Sequence, residues 1–244
     1  MLPGGAALPV AMPRPANAMI RHLFLAGFFL CAMCRAADPQ PTAEELMRLV
    51  RMSYSLQDQK LTGTLRDDSS GRKEAFELTM QQQTLRFRFS DPAEIVNLDL
   101  STEPATLSRV LPGGKSVVPV SAYDETVRGM AMNFEDLSLR FTYWPKPLLV
   151  GTDTIKAQKM WVVRVVNPDG KGPYGTVDLW VHQGSGGVAK MEAYDFKGLK
   201  MKRFEVVSVQ KVNDATVLKE MKIEAYDPPG SKNVRRTYMK LDKD

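Results

Sequence analysis

The chain has 244 residues, 43% of them hydrophobic, with 33 basic and 28 acidic residues for a formal net charge of +5. That is enough chain to bury one ordinary core, and the even scatter of Lys and Arg among Asp and Glu excludes the one-sided basic face of a nucleic-acid binder. Both cysteines, Cys31 and Cys34, lie near the start, so the rest of the chain has no thiol for a disulfide or a cysteine metal site.

Residues 1–37 differ in character from residues 38–244. They hold Arg14, Arg21 and Arg35, no acidic residue, and the apolar run 23-LFLAGFFLCAMC-34. A basic start, an apolar run too short to span a bilayer and a small-residue exit predict a cleavable secretory signal peptide, cut after Ala36 or Ala37. Residues 1–18 read as an over-extended start ahead of Met19. An uncleaved anchor and a lipid-modified cysteine are the rival readings. The second needs Leu, a small residue and Gly or Ala before the cysteine, and neither Cys31 nor Cys34 has them. Without the three signal arginines, 30 basic residues face 28 acidic ones, and the basic character mostly disappears.

The remaining residues, 38–244, read as a single domain. In 42-TAEELMRLVRMSYS-55 the residues Leu46, Leu49, Val50 and Tyr54 recur at helical spacing, and Thr42 with Glu45 forms a capping box. From residue 58 the period changes to two: Phe76, Leu78 and Met80 share one face, and Leu85, Phe87 and Phe89 share one with Arg86 and Arg88 opposite. Weaker strands follow at 94–100, 106–112 and 115–120. The segment 124-DETVRGMAMNFEDLSLRFTYW-144 reads as a helix carrying Met130, Phe134, Leu137 and Phe141 on one side, with a strand over its end as the rival reading and Pro145 and Pro147 as the stop. The C-terminal third is a run of strands from 149 to 242 separated by Gly, Pro, Asn and Asp turns. No crossover helices interrupt them, so the sheet is antiparallel.

Chemistry-bearing groups are sparse. His182 is the one histidine after the signal, on the strand face of Asp178 and Trp180, and no nucleophile–base set surrounds it. Glu135–Asp136 and Asp67–Asp68 are isolated pairs suited to helix solvation and turn formation rather than to a calcium loop. The clusters 113-GG-114 and 184-GSGG-187 lack the residues of a phosphate cradle and read as hairpin loops. The alternation 85-LRFRF-89 puts arginines and phenylalanines on opposite faces, unlike a base-stacking platform. No enzymatic activity, metal or cofactor is expected.

The segments 85-LRFRFSDP-92, 129-GMAMNFEDLSLRF-141, 144-WPKPLL-149, 160-MWVVRVV-166 and, most specifically, 177-VDLWVHQGSGGVAKMEAYDFKGLKMK-202 give the chain a likeness to a known group. It resembles the LolA/LolB-like superfamily of periplasmic lipoprotein carriers, and within it the outer membrane lipoprotein-sorting proteins. The resemblance implies a mainly β, α+β fold, an incomplete antiparallel β-barrel of about 10–11 strands whose concave face is covered by helices. It implies a periplasmic, monomeric carrier with an apolar cavity for acyl chains, with acylated lipoproteins or other lipids and membrane transport components as partners. The cavity candidates are Leu85, Phe87, Phe89, Met130, Phe134, Leu137, Phe141, Trp144, Trp161 and Trp180. The arginine that fastens the lid of LolA has no assigned counterpart among Arg86, Arg88 and Arg109. The alternative is a lipid- or lipoprotein-sensing module of the same fold that regulates a membrane partner.

Overall fold

The first described element needs a surface for its apolar stripe, and the sheet supplies it. In the computed structural model, which describes residues 40–55, 59–212 and 215–242, helix α1 spans Ala43–Ser55. Its expected capping box is present: Thr42 N donates to Glu45 Oε2 (2.8 Å) and Glu45 N donates to Thr42 Oγ1 (3.2 Å). The buried stripe is Ala43, Leu46, Met47 and Val50, the i, i+3, i+4, i+7 set, while Leu49 is 42% exposed; Met47 takes the place expected for Leu49. The side chain of Tyr54 and the expected signal peptide, residues 1–37, lie outside the described residues.

Thirteen strands follow: β1 (Gln59–Asp67), β2 (Lys73–Gln81), β3 (Thr84–Ser90), β4 (Ala93–Asp99), β5 (Thr106–Leu111), β6 (Gly114–Val117), β7 (Leu148–Ile155), β8 (Gln158–Val166), β9 (Thr176–His182), β10 (Val188–Tyr194), β11 (Lys200–Val212), β12 (Ala215–Tyr226) and β13 (Val234–Asp242). They form one open antiparallel sheet in the order β6-β5-β4-β3-β2-β1-β13-β12-β11-β10-β9-β8-β7. The number exceeds the 10–11 that the resemblance implies; the weak strand expected at 115–120 is β6, whose four residues are all exposed and which pairs with β5 at the sheet margin.

Connectivity explains what lies against the sheet. The chain enters at the centre with β1, runs outward to one margin at β6, and resumes at the opposite margin with β7. Residues 118–147 therefore have to cross from edge to edge. They do so over the inner face, where most of their apolar side chains join the sheet's core.

Pairing fixes that inner face. Leu61, Leu65, Phe76, Leu78, Leu85, Phe87, Phe89, Val96, Leu98, Val163, Val165, Val177, Leu179, Ile223 and Met239 alternate inward and are buried. The outer face carries rows of opposed charges, one running Arg164–Asp178–Glu192–Arg203–Glu224–Arg236 across six strands. Its contacts include Arg164 Nε to Asp178 Oδ1 at 2.7 Å, Arg203 Nη2 to Glu192 Oε1 at 2.8 Å and Arg236 Nε to Glu224 Oε1 at 2.9 Å. Two adjacent carboxylates, Asp178 and Glu192, are tolerated because cations flank both.

The long helix expected over 124–144 does not form. A 3-10 turn at Val127–Gly129, the single-turn helix α2 (Phe134–Ser138) and a second 3-10 turn at Arg140–Tyr143 take its place. Arg128 (φ 56°) and Gly129 (φ 67°) are left-handed within the first 3-10 turn, and left-handed Leu139 (φ 51°) ends α2. Asn133 starts α2 afresh as its cap: Asp136 N donates to Asn133 Oδ1 (3.0 Å) and Asn133 N to Asp136 Oδ2 (2.8 Å).

Candidate functional site: the plug and the inner face

Residues 118–147 act as a plug on the sheet. Its Met130, Phe134, Leu137, Phe141 and Trp144 are buried and belong to one continuous cluster with Leu85, Phe87 and Phe89 of β3. Trp161 also faces inward, opposite Val181, and is partly buried against that cluster. Trp180 does not line this space. It pairs with Val162 on the outer face, donates from Nε1 to Asp153 Oδ2 (2.8 Å) and lies under Lys190 Nζ at 3.8 Å. Strand alternation, which puts Leu179 and Val181 inside, puts Trp180 outside.

The plug lies over the inner face, where the apolar cavity is expected. The plug's own side chains fill the inner face, with Met130 at 0% and Phe134 and Phe141 each at 2% exposure. Hollows on the described surface lie elsewhere. One, of about 500 Å³, is lined by Thr152, Asp153, Thr154, Lys159 and Gln183; another, of about 280 Å³, lies along β1 and β2. No plug residue lines either of them.

Polar groups fasten the plug at three places. At the first, Arg128 donates to Glu74 Oε2 from Nη2 (2.8 Å) and Nε (3.1 Å), pairs with Glu94 (3.5 Å) and reaches the carbonyls of Asp91 and Pro92 in the β3–β4 turn. Arg72 in turn donates to the carbonyl of Arg128, and Arg109 joins Glu94 (2.8 Å) while lying 5.0 Å over the Phe134 ring.

At the second, Lys202 of β11 points inward and donates to Asp136 Oδ2 (3.3 Å) and to the carbonyl of Ala131. Tyr174 Oη donates to Asp136 Oδ1, and Ala131 N donates to Thr237 Oγ1 (2.9 Å). Burial pushes the Lys202 amine down and the Tyr174 hydroxyl up; Asp136 pulls the amine back and adds to the rise of the hydroxyl.

At the third, the fully buried Glu135 accepts from Arg140 Nη2 (3.1 Å) and Nε (3.3 Å), while Arg140 also donates to the carbonyl of Lys171 (2.6 Å). Burial pushes the Glu135 carboxyl up to about 7 against the opposing pull of Arg140. Helix α1 adds Arg51 Nη1 to the Thr142 carbonyl, at 2.5 Å. One buried side-chain donor, Trp144 Nε1, has no partner among the described residues.

Glu135 and Asp136, expected to solvate a helix or form a turn, are instead buried fasteners. Lys202 is 66 residues from Asp136, and Arg140, five residues from Glu135, reaches it across the break at Leu139, so no helical motif announced either pair. Two signals were available: Lys202 occupies the inward register two residues before Phe204, and Asn133-x-x-Asp136 has the spacing of a cap. His182 ends β9 and holds the β9–β10 turn, with Nδ1 2.9 Å from Ser185 Oγ and Nε2 3.1 Å from Gln158 Oε1. Among the described residues no group of three or more His, Cys, Asp and Glu is placed to hold a metal, and no helix is long and apolar enough to cross a membrane.

Comparison with known proteins identifies the architecture. A family model described as "Uncharacterized protein" matches residues 110–243, more than half of the chain. A putative outer membrane lipoprotein-sorting protein domain from Vibrio parahaemolyticus superposes with a TM-score of 0.66 at 14% identity, over 82% of this chain and 92% of its own. A DUF1329 family protein from Desulfovibrio piger gives 0.64 at 14% identity, over 84% and 92%. A LolA superfamily protein from Nitrosomonas europaea gives 0.63 at 14% identity, over 84% and 93%. No curated protein matches in sequence.

Proposed function

The chain belongs to the family matched over residues 110–243 and has the incomplete barrel of the LolA fold, and from that premise we propose that it is a periplasmic carrier of lipoprotein acyl chains or other lipids. The signal-like residues 1–37 export it. The acyl chain occupies the inner face of the sheet after the plug has moved aside.

The observation that carries this reading is the plug itself, a succession of short helical turns laid over an apolar sheet and fastened at a few polar points. Magnitudes make the exchange feasible. A buried apolar side chain contributes about 1.5–3 kcal/mol, so Met130, Phe134, Leu137, Phe141 and Trp144 together contribute on the order of 10 kcal/mol to holding the plug down. A tail of a dozen methylenes gains about the same at roughly 0.8 kcal/mol each. Tail and plug therefore compete for one surface on nearly equal terms, and the polar fasteners set the balance. The chemistry required is burial alone, with no catalytic step.

The test is uptake of a fluorescent fatty acid by the purified mature protein, together with mass spectrometry of lipid extracted from it. Saturable uptake that quenches or shifts inner-face tryptophan emission is the expected result. Absence of both uptake and co-purified lipid, in wild type and in a variant with the Arg128 fastening removed, would falsify the carrier reading.

A further inference from the structure

The β11–β12 hairpin outruns its neighbours. Pairing between β10 and β11 stops at Lys190↔Glu205, so Val206–Val212 have no partner on that side. On the far side, pairing of β12 with β13 begins only at Glu220↔Lys240. The projecting part is a two-stranded arm, a form that is marginal unless braced or given another strand. It is braced toward β13, where Gln210 Nε2 donates to the Leu241 carbonyl (3.0 Å), and by Val212 and Leu218, which pack against the apolar core.

The other side has unsatisfied strand chemistry. The register against β12 slips between Val206 and Ser208 and again before Val209. At that slip the carbonyls of both Val206 (3.3 Å) and Val207 (2.9 Å) accept from Lys156 Nζ, which comes from the β7–β8 turn. A side-chain ammonium thus stands where the peptide N–H groups of a neighbouring strand would stand. A lysine on an edge is also the usual guard against unwanted pairing. Beyond it, Val207 is 39% and Val209 56% exposed, and the exposed Lys211 and Lys219 have no ion pair among the described residues.

We propose that the open edge of β11, residues 207–212, binds an extended polypeptide segment as an added strand, one that carries apolar residues and an acidic residue at every second position, on one face. Backbone groups of a strand complement those of an unpaired edge, and side chains at alternate positions select the sequence. The apolar residues answer Val207 and Val209, and the carboxylate answers Lys211. A second copy of this chain fits the same edge poorly: residues 206–212 contain no acidic residue, so self-pairing would bring lysine-bearing edges together uncompensated. The site lies apart from the plug's fastenings and is independent of whether a lipid enters the sheet.

The probe is a synthetic peptide, acetyl-TVTVTETVTV-amide, whose valines and glutamate share one face, with a control in which lysine replaces the glutamate. Hydrogen exchange on the full mature chain reads the edge directly: the amides of 208–212 should slow about tenfold on saturation with the glutamate peptide. The lysine control should bind at least about fivefold more weakly, and Lys156→Ala should tighten binding by about two- to tenfold by removing the competing donor. Val209→Lys, at an exposed position that leaves the fold intact, should weaken it. Equal binding of the two peptides, unchanged exchange at 208–212, or protection that appears only with rising protein concentration and accompanies dimers in sedimentation would each overturn the proposal.

Discussion

Asp136 of the plug and Lys202 of β11 form a buried ion pair at 3.3 Å, joining the single-turn helix α2 to the longest strand among the described residues. The pair is closed on the other side by Tyr174, whose hydroxyl also binds Asp136. Three polar groups so placed have no water to fall back on, and each is satisfied only while the plug is seated.

Removing one member of the pair should therefore cost more than removing both. Lys202→Met leaves the Asp136 carboxylate short of its cation and should destabilise the protein by about 3–5 kcal/mol. The double variant Lys202→Met, Asp136→Asn should recover a large part of that loss. Urea unfolding midpoints of the four proteins in a double-mutant cycle measure it, and additive losses would show that the two residues act separately.

Arg128 should govern how readily the plug lifts. Its side chain is 8% exposed and holds Glu74, Glu94 and the β3–β4 turn at once. Arg128→Ala should speed amide exchange in residues 126–133 more than in the sheet, and raise the rate of fatty-acid uptake with it. Uptake that stays unchanged while exchange quickens would separate plug motion from binding.

Two carboxylates should shape stability against pH in opposite senses. Glu135 is raised from 4.5 to about 7, chiefly by burial, so the folded state holds its proton more tightly than the unfolded chain does. Its contribution is complete below about pH 4.5 and declines as pH rises to about 7. Glu192 behaves conversely. Burial raises it, but hydrogen bonds from Lys200, Tyr194, Lys190 and Arg203 outweigh burial and bring it down to about 2. That contribution is present above about pH 4.5 and is lost as pH falls toward 2. Glu135→Gln should flatten the profile between pH 4.5 and 7, and Glu192→Gln the profile below 4.5, in urea unfolding at a series of pH values.

Gly63 is required by space rather than by backbone conformation. A Cβ there would lie 2.4 Å from Phe76 Cζ and 2.9 Å from the carbonyl oxygen of Lys240. The phenyl ring covers the glycine on the inner face of β1 and β2, so Gly63→Ala should cost about 1–3 kcal/mol by overpacking. The melting temperature would report it, with Gly113→Ala, which meets nothing within 4 Å, as the control.

Trp144 tests the opposite case. Its indole N–H is buried without a partner among the described residues, a situation that costs about 1–3 kcal/mol. Trp144→Phe removes the orphan donor along with part of the packing, so it should change stability by less than about 1.5 kcal/mol, whereas Trp144→Ala should lose about 3–5 kcal/mol. A Phe variant as damaged as the Ala variant would mean that the N–H is satisfied in solution.

The period of the apolar residues was enough to read α1 with its cap, the antiparallel sheet and the inward faces of β2 and β3, because alternation and helical spacing are local properties of the chain. The same rule, applied to register rather than to residue type, places Trp180 outside; its aromatic character alone suggested the interior. Residues 124–144 show the limit of periodicity. Met130, Phe134, Leu137 and Phe141 all turn toward the core at helical spacing, yet left-handed Arg128, Gly129 and Leu139 break the helix that the spacing implied. What made those conformations the stable ones was the sheet beneath them, which offers Glu74 and Glu94 to Arg128 and Lys202 to Asp136.

Sequence by itself thus determined which residues prefer to be buried and the kind of sheet they build, since hydrophobic patterning acts over a few neighbouring positions. Only the tertiary structure decided what they are buried against. With β6 and β7 on opposite margins, the connecting segment must cross the inner face, and its own side chains occupy the space that a patterned sequence could only mark as apolar.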